Sequence, residues 1–161
     1  MIVTIDLPRF ILSNLFFLDI KRNIIMDGNF TKLIYSNECF TMNGLYILFP
    51  IELGIERCIN KNQIKFHPYS SFNQTIIQDI SRLEMKILEY YKQSRQCNRK
   101  LSNLLSRQMY TGFMKTHKDN YDTTFDEKKN AQYVLKISGV WETREEVGLT
   151  YKLYEVDENY L

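Results

Sequence analysis

The chain has 161 residues, 44% hydrophobic and 25% charged, enough to bury a core, which excludes disorder throughout. Six Gly and three Pro exclude collagen-like and Pro-rich classes, and two His with three Cys leave most metalloenzyme and His-dependent hydrolase designs short of ligands. The formal net charge of +2 names no partner by itself.

Residues 1–6 carry an acid and no basic segment, and the apolar stretch 10–18 is broken by Ser13 and Asn14, so no signal peptide is expected. No run reaches the roughly 18 apolar residues of a membrane span. Residues 16–20 read as a short strand, followed by a tight turn at Met26-Asp27-Gly28. Residues 30–36 alternate as a second strand. Met42-Asn43-Gly44 is a second turn, because Asn-Gly accepts positive φ. Residues 45–53 are almost continuously apolar, as in a buried central strand, with Pro50 marking a bulge or an edge. Residues 63–67 are a further short strand.

The period then changes. Ile76, Ile80, Leu83, Ile87 and Tyr90 recur at steps of four and three, predicting a helix over 74–92 with Asn73 as its cap. The pattern continues, or restarts after a break at 93–98. Leu101, Leu104, Leu105 and Met109 share one face of the second segment, with Arg95, Arg99, Lys100 and Arg107 mostly on the other, and Gly112 ends it. Residues 116–131 read as a polar loop. Residues 133–140 and 149–156 form a strand pair joined by a loop over 141–148. The expected fold is α+β, an OB-like antiparallel β-barrel of three strands, a long helical insert and a two-strand hairpin. A single domain is expected over 1–161, with β structure at 16–67, the basic helical segment at 74–112 and the hairpin at 133–156.

Charge distribution carries the functional signal. Between Lys92 and Lys118 stand Lys92, Arg95, Arg99, Lys100, Arg107, Lys115 and Lys118 with no acid, a segment of +7. The other fourteen cations face all nineteen acids, leaving −5. Such a segment suits a polyphosphate chain, whose binding releases counterions. Tyr90, Tyr91, Tyr110 and Phe113 flank or interrupt it, and single-strand binders stack bases on rings beside cations. The plainer alternative is a solvated helix face whose cations pair with acids elsewhere. Trp141, at a strand end, either closes the core or stacks on a base; the acidic loop beside it favours the core.

Catalytic chemistry finds little footing. Cys39, Cys58 and Cys97 show no disulfide or zinc spacing and point to a reducing compartment. His67 and His117 lack ligand-spaced partners. Tyr90-Tyr91-Lys92 resembles the tyrosine nucleophile of DNA-nicking enzymes, but the accompanying His-rich site is missing. Glu142, Glu145 and Glu146 read as an acidic loop. There is no phosphate-binding GxxxxGK[ST], no GxGxxG and no GxSxG. No enzyme activity, metal or cofactor is expected. The acidic C-terminal residues Glu155, Asp157 and Glu158 read as a frayed terminus.

Two stretches carry a family resemblance. One runs from Met26-Asp27-Gly28-Asn29-Phe30-Thr31-Lys32 to Phe40-Thr41-Met42-Asn43-Gly44-Leu45-Tyr46. The other runs from Lys136-Ile137-Ser138-Gly139-Val140-Trp141-Glu142-Thr143 to Gly148-Leu149-Thr150-Tyr151-Lys152. Together they resemble small proteins of large DNA viruses and of virus-derived elements in arthropod genomes, some of them taken to be single-stranded DNA-binding proteins. The resemblance covers about half the chain, leaves the basic helix uncovered and implies a viral replication or nucleoprotein role.

The expected function is therefore non-enzymatic, sequence-nonspecific binding of single-stranded nucleic acid, DNA foremost, in replication or genome protection. Lys92, Arg95, Arg99, Lys100, Arg107, Lys115 and Lys118 would track phosphates, and Tyr90, Tyr91, Tyr110, Phe113 and Trp141 would stack. The expected location is the cytoplasm or nucleus of an infected cell, or the virion. Expected partners are the nucleic acid, a second copy, and viral replication or capsid proteins, with no membrane. The alternatives are a virion assembly protein using the helix as a subunit interface, and a module that binds a host or viral protein.

Overall fold

A computed structural model describes residues 2–23, 27–54, 62–118, 131–157 and 161. Leu15–Asn23 (β1) and Gly28–Ser36 (β2) pair antiparallel from Leu15↔Tyr35 to Asn23↔Gly28, with a bulge between Phe17 and Ile20. Asp27 lies in the expected turn, while Met26 falls outside the described residues. Thr41–Met42 (β3) returns along β2. Gly44 then takes φ +120°, and the chain enters Leu45–Leu48 (β4). The Asn-Gly turn does not make a hairpin here. It redirects β4 to pair with Ala131–Glu142 (β8) instead. β4 is also shorter than the expected 45–53 strand. Pro50 has no N–H to extend a ladder, and the last such bond runs from Phe49 N to Tyr133 O.

Gln63–Lys65 (β5) precedes the long helix Ser71–Arg95 (α1). The N-cap is Ser70, whose hydroxyl accepts from Asn73 N. Asn73, the expected cap, is buried inside the first turn and pins residue 52 through bonds to and from its backbone. Gln96 ends α1 at φ 50°, and Cys97 N closes on Lys92 O, so the helical pattern breaks and restarts. Lys100–Leu101 (β6) and the short helix Leu104–Tyr110 (α2) follow, and Gly112 (φ +72°) turns the chain into Phe113–Lys118 (β7). β7 corrects the reading of a loop from 116 onward. Met114 and Thr116 point inward and Lys115 outward, an alternation hidden by its polar composition. Residues 119–130 of that loop lie outside the described residues.

Glu146–Asp157 (β9) completes a tight hairpin with β8, closer than the expected eight-residue loop. Among the described residues the sheet order is β1-β2-β8-β9-β7-β5, with β3 beside β2, β4 beside β8 and β6 beside β9. The fold is α+β, with a large mixed sheet that is not closed. β6 and β7 run parallel to β9, which an all-antiparallel barrel does not contain.

Alternation gives the sheet two faces. Toward α1 it presents Leu33, Tyr35, Leu45, Ile47, Leu135, Ile137, Val140, Leu149 and Leu153, all buried against Ile77, Ile80, Ile87, Leu88 and Tyr91 of the helix. The helix also buries Glu84 completely. Its carboxyl oxygens accept Leu105 N and Ser106 N, both at 2.9 Å, and the Ser106 hydroxyl at 2.5 Å. Glu84 thus satisfies the orphan N–H groups that begin α2 and ties the two helices together.

Candidate nucleic-acid interface

The seven predicted cations do not form one helical strip. Arg95 turns inward to the β1 bulge, where Nη2 donates to Leu18 O at 2.6 Å and Phe17 O at 3.4 Å. Arg99 is ion-paired with the buried Glu142, and its Nε donates to Arg144 O at 3.3 Å. Lys100 stands on β6 in register with Glu146. Lys92 is half-buried on the last turn of α1, and Arg107 is exposed on α2. Lys115 and Lys118 lie on β7, with Lys118 in register with Glu155. The acid-free window winds through helix, strand, helix and strand, so carboxylates reach its cations from elsewhere in the fold.

The predicted stacking residues also separate. Tyr91 is fully buried; its hydroxyl donates to Glu142 Oε2 at 3.0 Å and lies 3.2 Å from Thr31 Oγ1. It is a core residue and not a stacking group. Replacing Tyr91 with Phe keeps the ring but strips a hydrogen bond from the buried Glu142, with an expected loss of about 1–2 kcal/mol in denaturant unfolding. Nucleic-acid affinity is expected to stay unchanged. Tyr90 is half-buried against Phe17 at 5.7 Å, and Tyr110 lies 5.8 Å from the exposed Tyr69. Phe113 is half-buried on β7. Trp141 is half-buried, with its ring laid over Gly148 on the sheet face away from α1.

That outer face gathers residues the sequence scatters. Register runs Lys21–Phe30–Trp141–Gly148 across β1, β2, β8 and β9. The next rows are Lys32–Gly139–Thr150, then Tyr46–Lys136–Lys152, then Leu48–Val134–Tyr154–His117. A Cβ at Gly139 would lie 2.6 Å from Phe30 Cζ, so only glycine lets that ring lie flat on the sheet; Gly148 does the same beneath Trp141. Lys136 Nζ sits 5.2 Å from the Tyr46 centroid. From Gly148 to Val156 the outward positions of β9, like those of β8, carry no carboxylate; at the start of β9, Glu146 shares that parity and stands in register with Lys100. At the β1 edge, Asp19 lines a depression with Lys21, Phe30 and Lys32.

The electrostatics agree with this placement. Partial burial, then Lys152 and Lys115, hold the His117 imidazole below its usual value of 6.5. On the opposite face, burial and Glu155 push the Tyr133 phenol up to about 12, so it stays neutral against the core. Among the described residues no group of three or more His, Cys, Asp or Glu side chains is placed to hold a metal.

Of the expected residues, Lys100, Phe113, Lys115 and Trp141 have the register parity of this outer face. Lys21, Phe30, Lys32, Tyr46, Lys136, Lys152 and Tyr154 were not singled out from sequence. Their only local signal is alternation with apolar neighbours along strands. Comparison with protein-family models, curated proteins and solved structures finds no match to this chain.

Proposed function

We propose that this protein binds single-stranded nucleic acid, DNA foremost, without base-sequence preference and without catalysis, on the sheet face opposite α1. The observation that carries this reading is the cross-strand pair Lys136↔Lys152, flanked on that face by Tyr46 and Tyr154, with the flat rings of Phe30 and Trp141 two rows away. Lysines directly opposite one another repel and destabilise a sheet. A phosphate backbone relieves that repulsion, and Lys21, Lys32 and Lys115 extend the cationic ground around it. Flat rings on a sheet surface accept any base, whereas a paired duplex keeps its base faces stacked. Nothing on this face is a helix for a major groove, which fits weak sequence readout. The viral or virus-derived setting, in replication or genome protection, rests on the resemblance of residues 26–46 and 136–152.

The assembly reading, with α1 as the subunit interface, fits less well. The apolar stripe of α1 faces the core, and its solvent side presents Phe72 and Met85 as large apolar groups.

Trp141 is the one Trp of the chain and supplies a direct test. Its emission is expected to be quenched on titration with oligothymidylate at low salt, with weaker binding of a duplex of equal length. The midpoint should move to higher strand concentration as salt rises, by about 0.7 log units per tenfold salt for each phosphate contacted. Unchanged emission and unchanged anisotropy of labelled strands at low salt would remove the reading.

A further inference from the structure

We infer that the depression between Tyr46, Lys136 and Tyr154 is a single-base pocket, seating one unstacked nucleobase of the bound strand while the adjoining phosphate lies against Lys136 and Lys152. This deepens the reading above and rests on it. The depression has a volume of about 440 Å³, inside the roughly 300–1,000 Å³ range of small-molecule sites. Val134 forms apolar floor, and Phe40 and Val3 add wall. The wall is anchored: Ile5 N donates to Tyr46 O at 2.8 Å, and Ile5 bridges to Ile47 in parallel, which fixes the segment carrying Val3.

The chemistry selects the occupant. Two tyrosine rings and an aliphatic floor suit a flat, partly apolar heterocycle. Lys136 lines the same pocket, and Lys152 stands opposite it on β9. Among the described residues neither lysine is ion-paired with a carboxylate. An anion therefore fits beside the base, and a nucleotide supplies both parts. Lys115 lies in the neighbourhood of His117, whose ring is 6.0 Å from Tyr154, so positive charge continues past the pocket toward β7. Phe30 and Trp141 differ in kind. They lie flat on glycines, and neither lines this pocket.

The test uses the unaltered protein first. An oligothymidylate carrying one 5-iododeoxyuridine is cross-linked by light, and the modified peptides are mapped by mass spectrometry. Cross-links are expected at Tyr46 or Tyr154. In parallel, Tyr46→Ala and Tyr154→Ala are expected to weaken strand binding about tenfold or more each, with circular dichroism confirming the fold. If the strand binds but cross-links fall only at Phe30, Trp141 or elsewhere, and both variants stay within twofold of the parent, the pocket is overturned while the platform reading stands. If the parent protein binds no strand at all, the functional reading fails and the pocket falls with it.

Discussion

Replacing Lys32, Lys136 and Lys152 together with Gln is expected to weaken single-strand binding about a hundredfold at 0.1 M salt. Counterion release sets this magnitude: each phosphate contact on a single strand contributes a slope of about 0.7 in log affinity against log salt. At 0.1 M one such contact is worth about fivefold relative to 1 M, and three compound. The slope itself should flatten by about 2. All three side chains point away from the helix-packed core, so the fold should survive. Removing the like-charge pair Lys136↔Lys152 should even relieve repulsion in the free protein. The matched control changes Lys86, Lys92 and Arg107 to Gln, which removes the same charge from the two helices. Fluorescence anisotropy over a salt series should show that control within about threefold of the parent and with most of its slope retained. Equal losses in both variants would mean that bulk charge, not the outer face, drives binding.

The second large effect is on stability. Glu84→Ala is expected to cost about 3 kcal/mol, because three buried donors lose their acceptor together: Leu105 N, Ser106 N and the Ser106 hydroxyl. For a chain of this length that corresponds to a Tm lower by about 6–12 °C, readable by thermal circular dichroism. Glu84→Gln keeps one acceptor oxygen but presents an NH₂ group to a donor, so it should fall between the parent and the Ala variant. A Tm within 2 °C for Glu84→Ala would mean that water replaces the carboxyl at the start of α2. Below the melting transition, strand affinity should match the parent, since Glu84 lies on the far side of the sheet.

How far the fold was legible varies with how local each signal is. The stripe Ile76, Ile80, Leu83 and Ile87 announced α1, because helical periodicity is read within a few turns. The buried face is nonetheless rotated toward Ile77, Glu84 and Tyr91. Glu84 is ionisable by type and resembles a solvent-facing position until α2 is seen lying on it. The β8–β9 pair was equally legible from its β-branched runs. β7 was not, because Thr116 fills a core position and Lys115 and His117 flank it. Barrel closure could not be read either, since element order does not specify which edges meet. Here β8 accepts β4 along one half of an edge and β2 along the other, and the sheet stays open.

The site was less legible than the fold. The acid-free run from Lys92 to Lys118 is conspicuous in one dimension, yet Arg95 caps strand carbonyls and Arg99 meets Glu142 from β8. Conversely, Lys32, Lys136 and Lys152 are isolated in sequence, and sheet register alone brings them to one face. The resemblance-bearing segments 26–46 and 136–152 hold most of that face, while the basic helical flank lies outside them.

Lysine footprinting decides between the two surfaces most directly. The protein is acetylated with and without a saturating single strand, and modification at each lysine is quantified by mass spectrometry. The account predicts protection of Lys21, Lys32, Lys136 and Lys152, with Lys92 on α1 unchanged. Protection of Lys92 while the four outer-face lysines remain fully reactive would contradict it.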